Sequence, residues 1–96
     1  MSYRVSRAAV EDLIEIFIRG ADSFGLDQAR RYHRNLFASF AFLAENPRAA
    51  RVRDEINPPV RVYPVGSHIV IYTVLKNEDV FILRVRHAHE DWLRTT

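Results

Sequence analysis

The chain contains no cysteine, which removes disulfide frameworks, thiolate zinc sites and a cysteine nucleophile together. No long unbroken apolar run is present, so nothing reads as a transmembrane helix, and Met1-Ser2-Tyr3-Arg4 lacks the apolar core of a signal peptide. A reducing cytoplasm is the expected setting. Lysine is almost missing: Lys76 is the single one, and histidines aside every other basic residue is arginine. Guanidinium forks favour bidentate contact with carboxylates or phosphates, so such a surface suits an acidic protein partner or a nucleic-acid backbone. A GC-rich genome's codon habit gives the same composition. The net charge of +2 is too small to argue for nucleic acid by itself.

What is present is enough for one modest core: 96 residues are expected to form one domain, residues 1–96. The stretch from Val60 to Asp91 reads as a β-meander. Val60 to Tyr63 comes first, Pro64 to Gly66 breaks it, His68 to Lys76 is a long middle run, Asn77-Glu78-Asp79 turns, and Val80 to His87 returns. The middle run is apolar on both period-2 faces, as a central strand covered on two sides requires. In the last run, Val80, Ile82, Arg84 and Arg86 share one face by simple alternation, and Phe81, Leu83, Val85 and His87 the other.

Upstream, Tyr3 to Ser6 alternates and reads as an edge strand, after which Ser6 caps a helix. Val10, Leu13, Ile14, Phe17, Ile18, Ala21 and Phe24 recur at spacings of three and four and are expected to face inward, with Glu11, Asp12, Glu15 and Arg19 opposite. Gly25 supplies the stop and Asp27 the next N-cap, so two helices are antiparallel neighbours. The second runs from Gln28 to about Glu45, burying Ala29, Tyr32, Leu36, Phe40 and Leu43, widened by Phe37 and Ala44, with Arg30, Arg31 and Arg34 outward. Asn46-Pro47 ends it. Residues 48–59 show no period, and the tail from Glu90 to Arg94 reads either as one helical turn or as a strand continuation. The order β-α-α-β-β-β predicts an α+β fold, a helical hairpin packed on one face of a small mainly antiparallel sheet whose other face is open to a partner.

Candidate chemistry is sparse. His87 and His89 lie two apart, a spacing some metal sites use, but no third ligand has a claim, so no metal is expected. Ser67 beside His68 cannot form a nucleophile and base, because strand neighbours point to opposite faces. Glu55, Arg61, Arg84 and His87, with Arg86 and His89 nearby, contain the residue types a metal-independent ribonuclease needs: a base, an acid and cations for a pentacoordinate phosphate. Against that stand the lysine-poor connector and the lack of an aromatic clearly placed to stack a base, although Tyr63 and Tyr72 are candidates.

The ordered motifs resemble the ParE branch of the RelE/ParE toxin superfamily. Tyr3-Arg4-Val5-Ser6-Arg7-Ala8-Ala9 with Asp12-Leu13 and Ile16 is similar to the family's opening, and Asn46-Pro47 to its close of the hairpin. Val65-Gly66-Ser67-His68-Ile69-Val70-Ile71-Tyr72 resembles its Gly-containing strand, and Ile82-Leu83-Arg84-Val85-Arg86-His87 with Asp91-Trp92 its closing strand. The resemblance implies a non-enzymatic poison of DNA gyrase in the cytoplasm, neutralised by a ParD-type antitoxin, with no cofactor, no membrane association and no direct sequence-specific nucleic-acid binding. It implies a docking surface for target or antitoxin at Arg61, Tyr72, Arg84, Arg86, His87 and Trp92. The RelE branch, which cuts messenger RNA on the ribosome, is the alternative. Arg86 stands where many relatives carry an apolar residue, and His89-Glu90 where small or basic residues are common.

Overall fold

In the computed structural model of the chain, residues 2–89 are described. Strand β1 (Tyr3–Val5) leads into α1 (Arg7–Phe24) and α2 (Leu26–Glu45), followed by β2 (Val52–Arg53), β3 (Val60–Val65), β4 (His68–Val74) and β5 (Val80–His87). The sheet order is β1-β5-β4-β3-β2, with β1 parallel to β5 and every other pair antiparallel. The architecture is the expected α+β arrangement, a helical hairpin on a mainly antiparallel sheet. The connector adds the short β2, which is too brief for any period to announce.

Ser6 caps α1 as its sequence position predicts: its Oγ accepts from the Ala9 N–H at 3.0 Å and donates to the Leu83 carbonyl at 2.7 Å. The next cap differs from the expectation. Gly25, at φ 91°, closes α1 and opens α2, so the second helix starts at Leu26 and Asp27 sits in its first turn. A single glycine thereby folds the two helices back on each other.

β4 is the central strand, and Ile69, Val70, Ile71 and Tyr72 are all buried, as its two apolar faces require. On the hairpin side, Val70, Tyr72, Val80, Ile82 and Val85 pack with Ala9, Leu13, Leu36, Phe40 and Leu43. On the far side Val60, Ile69 and Ile71 pack with Ile56, Val62 and Leu83. The far face is therefore partly covered by the connector through Ile56, where the sequence predicted an open face.

Two face assignments differ from the simple periods. In β5 the register slips between Ile71 and Tyr72: Ile71 pairs with Arg84 but Tyr72 pairs with Ile82, leaving Leu83 as an extra residue. The bulge puts Val85 on the same side as Val80 and Ile82, and sets Arg84 and Arg86 opposite Ile71 and Ile69 on the other. In α1 the buried side is Ala9 and Leu13, with Ile16 packed against the core. Val10, Ile14 and Ile18 are 43 %, 55 % and 54 % exposed, contrary to the expected inward stripe. The apolar arc of α1 is wider than the face the sheet can cover.

Candidate functional site

β1 accompanies β5 only as far as the pairing of Val5 with Ile82, so the rest of that edge needs other partners. The Ser6 N–H donates to the Ile82 carbonyl at 2.9 Å. Asp12, one helical turn and a half further along α1, takes over: its carboxylate accepts from the Val85 N–H at 2.9 Å and from Arg84 Nε and Nη2 at 2.8 and 2.9 Å. Arg86 Nη1 stands 3.6 Å from the same carboxylate. The Asp12 side chain is only 10 % exposed, so this bidentate pair works in a medium of lower dielectric than water.

Beside this corner a cleft of about 580 Å³ opens between the hairpin and the end of the sheet. Ile16, Phe17, Phe24 and Ala29 give it apolar walls, and Tyr32, His68, Arg86 and His87 give it polar ones. The Tyr32 hydroxyl accepts from the Ser67 N–H at 3.1 Å and lies 2.6 Å from His68 Nδ1 and 3.2 Å from the Val65 carbonyl. Burial pushes its pKa up from the usual phenol value. The rings of His68 and His87 are 5.4 Å apart, those of His87 and His89 5.5 Å. The His89 N–H donates to His87 Nδ1 at 3.2 Å. Among the described residues no group of three or more His, Asp or Glu side chains is arranged to hold a metal ion.

The structure brings Arg84, Arg86 and His87 to this end and leaves the other named residues elsewhere. Tyr72 is 0 % exposed and its hydroxyl donates to the Pro47 carbonyl at 2.8 Å, so it braces the start of the connector and offers no docking surface, contrary to the expectation. Arg61, opposite Tyr72 on the same face, donates from Nη1 to the Ala50 carbonyl at 2.5 Å. Glu55 is held by Arg53 Nε at 2.5 Å, and that hydrogen bond keeps its carboxyl below the usual range. Tyr72 and His68 are four strand residues apart, about 13 Å, so Arg61 and Glu55 do not join His87 around one phosphate-sized space. Trp92 lies outside the described residues. Asp12 and Tyr32 carry the corner without having been singled out. Asp12 reads locally as a solvent-facing acid, and no spacing rule links it to a residue 72 positions away.

A second surface lies on the outer side of the hairpin. Val10, Ile14 and Ile18 recur every four residues along α1 and are all exposed, with Phe37 of α2 beside them at 36 %. Arg30, Arg31 and Arg34 are exposed on α2, and none of them enters an ion pair among the described residues. The face is thus apolar along one helix and cationic along the other.

The family described as "ParE toxin of type II toxin-antitoxin system, parDE" matches residues 3–92. "Toxin ParE1" of Mycobacterium tuberculosis is 38 % identical over 89 residues, covering 93 % of this chain and 91 % of the relative. "Toxin ParE1" of Caulobacter vibrioides is 35 % identical over 85 residues, covering 88 % and 86 %. A chain of the solved structure "Chromosomal ParDE TA system from P. aeruginosa" superposes with a TM-score of 0.77 at 20 % identity, over 91 % of this chain and 95 % of that one, and so shares the fold. With a family match running from β1 past the end of β5, this chain belongs to the ParE toxins of type II toxin-antitoxin systems.

Proposed function

We propose that this ParE toxin acts by gripping another protein, that its target is DNA gyrase, and that a ParD-type antitoxin neutralises it. The observation that carries the binding reading is the outer hairpin face, where Val10, Ile14 and Ile18 stay exposed beside Arg30, Arg31 and Arg34. An amphipathic helix with an apolar stripe flanked by carboxylates complements that face, and an acidic antitoxin segment that folds on binding is such a ligand. The proposed target contact is Arg86 and His87 at the end of β5, together with Trp92 of the following sequence, since arginine and tryptophan are favoured interface anchors. Two experiments separate the parts. Induction of the toxin alone is expected to arrest growth with gyrase trapped on cleaved DNA, and co-expression of the antitoxin to restore it. Trp92→Ala is expected to abolish arrest while the circular dichroism spectrum stays native. Arrest without any gyrase-dependent DNA cleavage would refute the target.

A second reading, ribonuclease action, is favoured by one arrangement: Tyr32, His68, His87 and Arg86 line a single cleft, the residue types that move protons and hold phosphate. Purified toxin mixed with ribosomes and messenger RNA decides between the two. Cleavage that vanishes in His87→Ala would replace the binding reading.

A further inference from the structure

We propose that the free toxin pairs with a second copy of itself through the outer face of the helical hairpin, forming a four-helix layer. The occupant is argued from charge and geometry on that face, and the pairing stands or falls independently of the antitoxin reading. Ile14 and Ile18 are 55 % and 54 % exposed, an apolar stripe whose removal from water favours pairing. The charges beside the stripe are self-complementary. α1 exposes Glu11, Glu15 and Asp22 together with Arg19, whose Nε donates to Glu15 at 2.6 Å and would share that carboxylate with an incoming arginine, whereas α2 exposes Arg30, Arg31 and Arg34.

A two-fold axis running along the hairpin lays α1 of one copy over α2 of the other, antiparallel and at the level the hairpin already fixes. A Cβ on Gly20 would stand 3.5 Å from the Cβ of Ala29, which marks those residues as level neighbours. Five residues back from Gly20 is Glu15, and five on from Ala29 is Arg34, so each Glu15 stands level with Arg34 of the other copy. Arg31 then falls between Glu15 and Asp22, roughly one helical turn from each. Symmetry makes every such contact twice. A helix of 18 residues is about 27 Å long, and two packed helices are roughly 20 Å wide. That footprint lies at the low end for a specific interface, so the pair dissociates on dilution and yields to a tighter ligand.

Sedimentation equilibrium of the full chain over a range of concentrations tests this, with circular dichroism as the check on folding. The wild type is expected to move from monomer to dimer, and Ile14→Glu to remain monomeric with a native spectrum. The charge pattern gives a sharper test. A chain carrying Arg31→Glu with Arg34→Glu and a chain carrying Glu11→Arg with Glu15→Arg are each expected to be monomeric. Mixed in equal amounts they form a heterodimer, because only then does every acidic helix meet a basic one. A wild type that is monomeric throughout, a dimer indifferent to Ile14→Glu, or reversed chains that fail to pair when mixed would each overturn the proposal. None of those results bears on whether an antitoxin helix binds the same face.

Discussion

Asp12 and Arg84, 72 residues apart in the chain, are joined by two hydrogen bonds of 2.8 and 2.9 Å, and the same carboxylate also receives the Val85 N–H. Helix α1 is thereby fastened to the bulged part of β5, where the sheet has lost its parallel neighbour. Arg84 is thus first a structural cation. Any docking role it has is exercised from a fixed position.

Replacing Asp12 by Asn keeps the size but removes the charge that faces two guanidinium groups. The expected loss is about 2 kcal/mol, below the 3–5 of a fully buried pair because Arg84 keeps some contact with water. Urea denaturation of the variant measures it, and an unchanged midpoint would show the pair to be dispensable.

Tyr72→Phe deletes the hydroxyl that donates to the Pro47 carbonyl and accepts, at 3.4 Å, from the Ala50 N–H. A loss of about 1–2 kcal/mol is expected, with faster amide exchange at Ala50. Retained toxicity in this variant accords with a buried brace; selective loss of toxicity in a fully stable protein would restore Tyr72 to the docking surface.

Gly66 turns the β3–β4 hairpin at φ 57°, and a Cβ there would lie 2.8 Å from the Tyr32 ring. Gly66→Ala therefore meets both backbone strain and a clash, for an expected cost of about 2 kcal/mol. Pairing it with Tyr32→Ala, which empties the space, recovers the steric part in a double-mutant cycle and leaves the strain.

His33 lies edge-on between Phe17 and Phe37, with ring centroids at 5.4 and 5.1 Å, and burial lowers its pKa from the usual histidine value. Because the folded value is the lower one, the unfolded chain binds the proton more readily. The stability His33 contributes is complete above about pH 6.5 and is lost as pH falls through the folded value. A histidine NMR titration reads the folded value directly, and a His33→Gln chain should lose that part of the acid sensitivity.

Much of the fold was legible from short-range pattern. The caps at Ser6 and Gly25, the stop at Asn46-Pro47 and the double apolar face of β4 are local signals, and local steric and hydrogen-bonding rules produce them. The candidate site was legible only in part. Arg84, Arg86 and His87 do gather at one end of the sheet, but Arg61 and Tyr72 turn inward to brace the connector, and Glu55 binds its neighbour Arg53. Which way a half-polar side chain turns depends on carbonyls brought near by the fold, and those are not neighbours in sequence.

The residue order by itself determined where α1 begins and ends, where α2 stops and that three longer strands follow, because caps, breakers and periods are properties of adjacent positions. The start of α2 at Leu26, the short β2 and the run of β3 through Pro64 to Val65 were decided by the fold. Tertiary packing decided which faces of α1 and β5 are inside. The extra Leu83 in β5 inverts the alternation so that Val85 joins the core, and the sheet covers only one flank of α1, leaving Val10, Ile14 and Ile18 in water. Both outcomes follow from contacts between segments far apart in the chain, where register and area must match and sequence spacing carries no information.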